Sequence, residues 1–362
     1  MAPVIRELRA HSSRIHSVVC SVGQHRQMLD QVLSLFQIQP DYDLNLMRHN
    51  QGLAELTASL FSSLEPVIRE VQPDWILAQG DTTTVFVASM IAFYHRIRFG
   101  HVEAGLRSGD KERPFPEEIN RRIADLVSDL YFAPTETARE ALLNEHCVPE
   151  DIFVTGNTVI DALHDVAARE FDWASSPLSV LPTDKRLVLI TAHRRESFGD
   201  PFRELCLAIR ELASGFPDVH FVYPVHLNPN VRKPVNDILV NLTNVSLIEP
   251  LDYLSLVHLL KKSVLVLTDS GGIQEEAPGL RIPVLVMRDT TERPEGVQTG
   301  VVRLVGTQRS RIINETERLL CDPAAHAAMS TGVNPYGDGK AASRIVSILL
   351  ERSLHRKLAV NS

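Results

Sequence analysis

The stretch VLVLTDSGGIQEEAP, residues 264–278, joins an apolar run, a Ser-Gly-Gly turn and a helical segment in that order. The Val- and Leu-rich run predicts a buried strand, so the segment reads as strand, turn and helix. Two adjacent glycines allow close approach to the backbone, and free N–H groups at a helix start bind anions such as a diphosphate. The alternative is a plain turn in which Ser270 caps the helix. The order of elements predicts an α/β fold.

Strand and helix patterns alternate along almost the whole chain. Besides the strand at 264–269, the predicted strands cover residues 16–22, 74–80, 98–104, 130–134, 151–156, 186–193, 220–225, 244–249, 283–288 and 301–306. Amphipathic helical patterns lie between them, for example at 52–71 and 202–216. Near-continuous apolar strands that alternate with helices predict parallel sheets covered on both faces. Such doubly wound sheets bind ligands at the carboxyl ends of their strands.

Helical periodicity stops between residues 171 and 185, where Ser and Pro accumulate. We therefore predict an N-terminal α/β domain at 1–170, a linker at 171–185 and a C-terminal α/β domain at 186–336. Two such domains face each other across a ligand-binding cleft. The last segment, 337–362, reads as a helix that can pack on either domain, including back on the N-terminal one.

Composition excludes several classes of partner. The 37 Lys and Arg residues against 45 Asp and Glu residues give a net charge of −8, which argues against a general nucleic-acid or anionic-membrane surface. A local pocket is enough to hold an anionic ligand. The four cysteines form no CxxC pair, so we expect them to be reduced and mostly in the core. The sequence shows no long apolar run or secretion signal, and we expect a cytoplasmic protein.

Polar and cationic residues follow the predicted strands of the C-terminal half. His193 is placed to bond a phosphate oxygen or to protonate a leaving group, with Arg194 beside it. His226 follows the next strand in a similar way, and Arg293 lies in a polar loop from which it can reach an anion. Glu276, one helical turn beyond the glycines, suits paired ribose hydroxyls. A lone histidine is usually structural, but its place among cations favours ligand binding.

Three carboxylates are expected near the strand ends of the N-terminal half. Glu103 and Glu117 belong to the stretch HVEAGLRSGDKERPFPEEINRR at 101–122, in which Pro116 opens a helix. Asp81 lies in GDTTT, where it or a Thr neighbour can also serve simply as a helix cap. A solvated charged loop is the alternative for the whole stretch. Carboxylates that share a semi-closed site separate their pKa values, so that one acts as acid and another as base.

Several familiar chemistries lack their sequence signals. The Ser-Gly-Gly turn is not GxGxxG and has no suitably placed acidic residue after it, so a nicotinamide cofactor is not supported. The histidines are dispersed, without HExxH or a Cys/His cluster, which argues against a metal. No nucleophile elbow or Cys/His pair indicates covalent catalysis. A diphosphate site together with carboxylates suits a nucleotide-sugar.

The motifs resemble those of the bacterial non-hydrolysing UDP-N-acetylglucosamine 2-epimerases. The likeness extends in order over nearly the whole chain and is carried by GDTTT, HVEAGLRSGD, PFPEEINRR, FAPTE, VTGNTVIDAL, HRRESFG, YPVHLNPNV, LTDSGGIQEEAP, MRDTTERPE and NPYGDG. The resemblance implies two Rossmann-like domains of the glycosyltransferase-B type, a homodimer, and neither metal nor nicotinamide. It implies interconversion of UDP-N-acetylglucosamine and UDP-N-acetylmannosamine by anti elimination of UDP to 2-acetamidoglucal, followed by re-addition.

The resemblance also assigns roles to residues. It implies acid–base carboxylates at Asp81, Glu103 and Glu117, and a His193 that stabilises the departing diphosphate. Phosphate and ribose contacts are implied for Ser270, Gly271, Gly272, Glu276 and Arg293. A second molecule of UDP-N-acetylglucosamine often activates family members, and the matching positions here are Gln24, Gln27, Arg194 and His226. At the uracil end, Leu251 and Leu256 stand where some members have Gln and Phe, a change that backbone contacts survive.

Other functions remain open at this point. A glycosyltransferase or a hydrolysing epimerase of the same fold would use a similar site, and a non-catalytic nucleotide-sugar binding protein would keep the UDP contacts alone. The N-terminus matters to this choice. The sequence begins with a helical pattern at MAPVIREL, whereas the resemblance implies a preceding central strand and a Gly-Thr-Arg-Pro-Glu-Ala-Ile-Lys loop. We therefore expect low stability, because loss of that strand exposes the edges of its two neighbours and an apolar slot. We also expect low turnover, because the Arg and Lys of that loop have no equivalent.

Overall fold

The structure is a computed structural model that describes residues 1–23, 26–46 and 51–360, of which 26–28 and 354–360 are described as helical backbone only. The strands are β1 (Cys20–Ser21), β2 (Tyr42–Asp43), β3 (Trp75–Gln79), β4 (Arg98–Val102), β5 (Leu130–Ala133), β6 (Ile152–Val154), β7 (Arg186–Thr191), β8 (Val219–Pro224), β9 (Val245–Ile248), β10 (Ser263–Thr268), β11 (Val284–Val286) and β12 (Val302–Leu304).

The helices lie between these strands. They are α1 (Ala2–Ala10), α2 (Arg26–Leu35), α3 (Leu53–Val71), α4 (Thr83–His95), α5 (Glu117–Leu126), α6 (Glu136–Asn144), α7 (Thr158–Ala167), α8 (Asp200–Gly215), α9 (Pro229–Leu239), α10 (Tyr253–Lys262), α11 (Gly271–Gly279), α12 (Pro294–Gln298), α13 (Arg309–Cys321), α14 (Pro323–Ser330) and α15 (Ala341–Val360). Short 3₁₀ turns occupy Pro149–Asp151, Pro177–Val180 and Arg195–Ser197. Every described helix is too short or too polar to cross a lipid bilayer.

The chain divides into two compact units. Unit 1 contains residues 1–162 and 337–362, and unit 2 contains residues 163–336. The last helix, α15, therefore belongs to unit 1, where it packs against α1 and contributes Ile345 and Val346 to a buried cluster. The domain limits expected from the sequence, with a linker at 171–185, stay a prediction.

The strands of unit 1 are all parallel. Strands β3, β4, β5 and β6 form one sheet in that order, and β1 pairs with β2 in a separate two-stranded sheet. Because Gln79 pairs with Val102, β3 and β4 end at the same level, and the residues that follow them lie at one edge. The strand expected at 16–22 is shorter than its apolar pattern indicated, and the short strand Tyr42–Asp43 was missed. Both of these strands are only two residues long.

Unit 2 contains a six-stranded parallel sheet in the order β12-β11-β10-β7-β8-β9. Its central strands are buried on both faces, as the near-continuous apolar runs predicted. The strand order reverses between β10 and β7, which makes the carboxyl ends of these two strands the topological switch point. A crevice forms at such a point because the flanking connections leave to opposite sides of the sheet.

One expectation about the core needs correction. The four cysteines are free thiols, as expected, but only Cys206 is buried. Cys20 and Cys147 are half-buried and Cys321, at the end of α13, is exposed. A cysteine is apolar enough for the core, yet a helix end such as that of α13 has few positions that face inward. The fold class itself, α/β with doubly wound parallel sheets and flanking helices, is confirmed.

Candidate functional site

The switch point of unit 2 brings together two segments that the sequence analysis selected separately. Thr191, at the end of β7, pairs in register with Thr268, at the end of β10. Their side-chain hydroxyls are 2.6 Å apart, which fixes the two strand ends side by side. The residues after β7 include His193 and Arg194, and those after β10 include the Ser-Gly-Gly turn. The expected nucleotide-binding residues are therefore gathered at one place within unit 2.

The turn after β10 leads directly into α11, whose first residue is Gly271 and whose N-cap position is Ser270. The Ser270 side chain makes no capping hydrogen bond in α11, so the simple capping role weighed for it is not the one observed. The first N–H groups of a helix have no partner within it and carry partial positive charge. An uncapped helix start at a switch point is suited to an anion.

Arg293 adds a full positive charge at this helix start. An added β-carbon at Gly271 would lie 2.9 Å from Nη1 of Arg293, so the guanidinium rests directly against the glycine backbone. Arg293 Nε donates to Glu275 Oε1 at 2.5 Å, and its backbone N–H donates to the Thr291 hydroxyl at 3.1 Å. The polar loop after β11 is thereby tied to α11. This arrangement explains why position 271 lacks a side chain.

Glu276 lies one turn into α11 and is buried, with only 6% of its surface exposed. Its Oε1 accepts a hydrogen bond of 2.7 Å from the Tyr253 hydroxyl. Burial, assisted by the charge of Glu275, raises the pKa of Glu276 to about 7, although the Tyr253 bond acts in the opposite direction. A buried carboxyl with one oxygen engaged keeps its other oxygen for a hydroxyl group. That chemistry suits the ribose role expected for Glu276.

His193 is held next to the same helix start. A side-chain oxygen of the buried Asp269 accepts the backbone N–H of His193 at 2.6 Å and that of Arg194 at 2.8 Å. The rings of His193 and His226 stack with centroids 5.3 Å apart and planes 9° from parallel. Burial lowers the pKa of His193, and the nearby Arg194 and His226 lower it further against the opposing charge of Asp269. His193, Arg194 and His226 thus lie together next to the start of α11.

Leu251 and Leu256 flank the start of α10. Both are half-buried and pack against an apolar cluster that contains Ile273 of α11. Asp252, between them, is the N-cap of α10 and accepts the backbone N–H of Ser255 at 2.8 Å. Their side chains offer no hydrogen-bonding group to a base. The expectation that backbone contacts survive at the uracil end stays a prediction.

In unit 1, Asp81 follows the end of β3. Its Oδ2 lies 2.8 Å from Nη2 of Arg121, and its backbone carbonyl accepts from the Asn120 side chain at 3.0 Å. The helix-capping position of α4 is Thr82, and that residue makes no side-chain capping bond. The helix-cap role weighed for Asp81 is therefore not the one observed, and its side chain instead forms an ion pair with Arg121 of α5. The acid–base role stays a prediction.

Glu103 comes directly after β4 and has a left-handed backbone with a φ of 67°. Such a conformation is uncommon for a residue with a side chain and clusters at functional sites. Asn157 donates to Glu103 Oε1 at 3.2 Å and Gln79 donates to Oε2 at 3.4 Å. Because β3 and β4 end together, Asp81 and Glu103 share one edge of the sheet. Two amide donors thus hold the Glu103 carboxylate.

Glu117 is the first residue of α5 and is half-buried. Within residues 1–23, 26–46 and 51–360, no hydrogen bond or ion pair engages its side chain. The helix that carries it reaches the Asp81 loop through Asn120 and Arg121.

Two further residues, Gln24 and Gln27, were expected to bind an effector. Gln24 lies outside the described residues. Gln27 lies in the first turn of α2, at a position where the structure describes the backbone alone.

A buried charged network around His101, in β4, was not expected from the sequence. His101 is fully buried, with Nδ1 at 2.6 Å from Asp125 and Nε2 at 2.7 Å from the Gly80 carbonyl. Asp125 also meets Arg107 at 2.8 Å. Burial acts to lower the pKa of His101, but Asp125 and the Gly80 carbonyl outweigh it and raise the pKa. The only sequence signal was a histidine inside an otherwise apolar strand.

Among the described residues, no group of three or more His, Cys, Asp or Glu side chains is arranged to hold a metal ion. Unit 1 carries the carboxylates Asp81, Glu103 and Glu117, which are groups that can transfer protons. Unit 2 carries His193, Ser270, Gly271, Gly272, Glu276 and Arg293, of which the helix start and the cation can bind a phosphorylated ligand.

Comparison with known proteins connects this arrangement to one family. The family model described as UDP-N-acetylglucosamine 2-epimerase matches residues 6–350. A Yersinia pestis protein named UDP-N-acetylglucosamine 2-epimerase is 52% identical over 355 residues, which are 96% of this chain and 94% of that protein.

Solved structures agree with the sequence relatives. The UDP-GlcNAc 2-epimerase of Neisseria meningitidis bound to UDP-GlcNAc is 48% identical, with a TM-score of 0.88 over 97% of this chain and 96% of that one. The UDP-GlcNAc 2-epimerase of Methanocaldococcus jannaschii, in complex with UDP-GlcNAc and UDP, is 34% identical, with a TM-score of 0.79 over 96% of this chain and 95% of that one. The chain belongs to the UDP-N-acetylglucosamine 2-epimerase family.

Proposed function

We propose that this chain interconverts UDP-N-acetylglucosamine and UDP-N-acetylmannosamine. The observation that carries the proposal is the gathering of His193, the Ser-Gly-Gly turn and Arg293 at the switch point of unit 2, in a chain that belongs to this family. Relatives named for the same reaction, and structures solved with UDP-GlcNAc, support the choice of ligand.

The nucleotide is expected to bind to unit 2. The diphosphate meets the N–H groups of Gly271 and Gly272, the Ser270 hydroxyl and the Arg293 guanidinium, all at the start of α11. Glu276 binds the ribose hydroxyls with the oxygen that Tyr253 leaves unused. The uracil lies against the apolar side chains of Leu251 and Leu256. Cations and helix N–H groups are natural partners of a diphosphate, since both place positive charge at its oxygens.

The chemistry follows from the weak acidity of the sugar C2–H bond. In the elimination, a carboxylate removes the C2 proton, the C2–H electron pair forms the C1=C2 bond, and the C1–O bond breaks with its electrons passing to UDP. The intermediate is 2-acetamidoglucal. On re-addition a UDP oxygen bonds to C1, and the double-bond electrons take a proton at C2 on the opposite face. The step needs acid–base groups and a site that retains UDP.

We assign the acid–base work to Asp81, Glu103 and Glu117. The three side chains have different surroundings. Asp81 is paired with Arg121 and Glu103 with two neutral amides, whereas the side chain of Glu117 has no partner among the described residues. His193 stabilises the charge that develops on the departing diphosphate.

Two further features are proposed with this function. A second molecule of UDP-N-acetylglucosamine acts as an effector through Arg194, His226, Gln24 and Gln27.

A homodimer forms through apolar side chains of unit 1 that are exposed on α4 and α5. Among them are Phe93 at 60%, Tyr94 at 64% and Leu126 at 81% exposure. Sedimentation velocity would show a single species of about 80 kDa, twice the 40.4 kDa chain, if the homodimer is right. We also assign the enzyme to the cytoplasm, where free cysteines persist.

One experiment separates this function from its alternatives. The protein is incubated with UDP-N-acetylglucosamine alone, and the products are resolved by chromatography and NMR. Two UDP-sugars at equilibrium are expected. Free UDP with free N-acetylmannosamine would indicate a hydrolysing epimerase instead. No product would overturn the proposal and leave a glycosyltransferase or a binding protein, which addition of acceptor sugars and calorimetry with UDP would tell apart.

A further inference from the structure

Asp269 of unit 2 is a buried carboxylate of which only one oxygen accepts hydrogen bonds from described residues. It follows β10 directly and is 1% exposed, yet it lies beside the half-exposed ring of His193. One of its oxygens, Oδ2, accepts the two backbone N–H groups of His193 and Arg194, at 2.6 and 2.8 Å. The other, Oδ1, is buried and has no hydrogen-bond partner among the described residues. A buried carboxylate oxygen without a donor is costly, so it calls for an explanation.

The nearest donor for that oxygen is the His193 ring. Asp269 Oδ1 lies 3.4 Å from Nδ1 of His193, a separation that becomes a hydrogen bond with a small movement of the ring. The register of β7 and β10 brings His193 and Asp269 together. Thr191 lies opposite Thr268, and these two positions are followed closely by His193 and Asp269. The ring also stacks on that of His226, and the Arg194 guanidinium carries donors only.

We propose that Asp269 is a positioning residue for His193, which it holds in the tautomer with the proton on Nδ1 so that Nε2 is left to meet the departing diphosphate. The inference rests on the role proposed above for His193. The ring acts with both nitrogens protonated, and its Nε2 proton passes to the leaving phosphate oxygen as the C1–O bond breaks. This transfer leaves the neutral ring with its proton on Nδ1. The same proton returns to Nε2 when UDP adds back, so the exchange balances over one turnover. Asp269 itself gains and loses no proton.

The charges around the ring support the same reading. Arg194 and His226 both disfavour a protonated His193, and burial disfavours it most. The charge of Asp269 acts in the opposite direction and raises the pKa of His193. The carboxylate therefore keeps the protonated form accessible in surroundings that otherwise oppose it. A purely structural Asp269, which only fixes the turn through the two backbone N–H groups, would not need its second oxygen to face the ring.

The substitution D269N distinguishes these two roles. An asparagine keeps one oxygen, which can still accept both backbone N–H groups, while its NH₂ group replaces Oδ1. The ring then faces a donor, and it has to present the unprotonated Nδ1 and carry the proton on Nε2. A matched control is D322N. Asp322 caps α14 in the same unit and also accepts two backbone N–H groups through one oxygen, from Ala324 at 2.9 Å and Ala325 at 3.1 Å.

The first readout does not depend on catalysis. Histidine labelled with ¹⁵N and ¹³C is incorporated, the His193 ring signals are assigned by their loss in H193Q, and the ring is titrated. In the unsubstituted protein we expect the Nδ1–H tautomer for the neutral ring. In D269N we expect the Nε2–H tautomer and a lower pKa for His193, whereas D322N should leave both unchanged. An Nε2–H tautomer in the unsubstituted protein would overturn the proposal without any variant.

The second readout is kinetic. D269N should lower kcat by about 100-fold or more, the scale of a lost proton-transfer group, with a much smaller change in KM. The double variant D269N/H193Q should be no slower than H193Q alone, because Asp269 acts through His193. An undiminished effect of D269N in the H193Q background would contradict the proposal. If the unsubstituted protein shows no epimerisation, the proposed function fails, and the tautomer measurement still decides the role of Asp269.

Discussion

The guanidinium of Arg293 rests against the backbone of Gly271, so closely that an added β-carbon at that glycine would meet Nη1 at 2.9 Å. This contact places a fixed cation at the start of α11, where the helix already offers unpaired N–H groups. This contact explains why residue 271 is a glycine, although its backbone is not left-handed. It also yields a sharp test of the diphosphate site.

G271A should weaken UDP binding by about 10- to 100-fold, because the new methyl group displaces Arg293 and charge-assisted hydrogen bonds are lost. G215A is the control. Gly215, at the end of α8, has nothing within 4 Å of an added β-carbon, and the change should leave the affinity unaltered. Isothermal titration calorimetry with UDP measures both. Equal affinity of the two variants would remove Gly271 from the site.

S270A should weaken UDP binding while leaving the stability of unit 2 almost unchanged. The Ser270 side chain makes no capping hydrogen bond in α11, so its loss costs the helix little. One hydrogen bond to a charged phosphate is worth at most about 1.5–3 kcal/mol. Calorimetry gives the affinity, and thermal unfolding gives the stability. A large drop in melting temperature with unaltered affinity would show that the residue is structural after all.

E103Q and E117Q should each lower turnover by at least about 100-fold, the usual scale for a lost acid–base group. UDP affinity should change far less, because neither residue is assigned to the nucleotide. E112Q is a control from the same loop, where Glu112 is exposed. Exchange of the C2 proton with solvent deuterium is the decisive readout. Near-normal exchange in either variant would remove that residue from the mechanism.

Glu276 should give unit 2 a distinctive dependence of stability on pH. Its pKa is raised by burial from 4.5 to about 7, so the folded state binds this proton more tightly than the unfolded state. The free energy of unfolding should therefore fall as the pH rises from about 4.5 to about 7, by at most about 3 kcal/mol. E276Q should remove most of this loss and should also weaken UDP binding.

Fluorescence can report this effect for unit 2 alone. The chain has two tryptophans, Trp75 in unit 1 and Trp173 in unit 2, where Trp173 packs against Phe171. In a W75F background, urea unfolding followed by Trp173 at pH 5 and pH 8 gives the two free energies. A loss of stability that is the same with and without E276Q would show that another group is responsible.

The α/β class and the placement of most strands could be predicted from the sequence, because apolar runs such as 264–268 are buried on both faces of a parallel sheet. The sequence pattern also placed the Ser-Gly-Gly turn and His193 at strand ends. It could not place the Arg293 side chain against Gly271, since that contact joins a loop and a helix start separated by more than 20 residues. The His101–Asp125 pair and the role of Asp269 were missed for the same reason.

The assigned site residues stay predictions until variants are measured. The variants G271A and S270A test the nucleotide site of unit 2, and E103Q and E117Q test the carboxylates of unit 1.

The central claim is that this chain inverts C2 of a UDP-linked sugar without releasing UDP, and incubation with UDP-N-acetylglucosamine in D₂O tests it most directly. Proton NMR and mass spectrometry should show UDP-N-acetylglucosamine and UDP-N-acetylmannosamine together, each carrying one solvent deuterium at C2, because every pass through the glucal removes that hydrogen. Stoichiometric accumulation of free UDP, or a second UDP-sugar that keeps its original C2 hydrogen, would contradict the account.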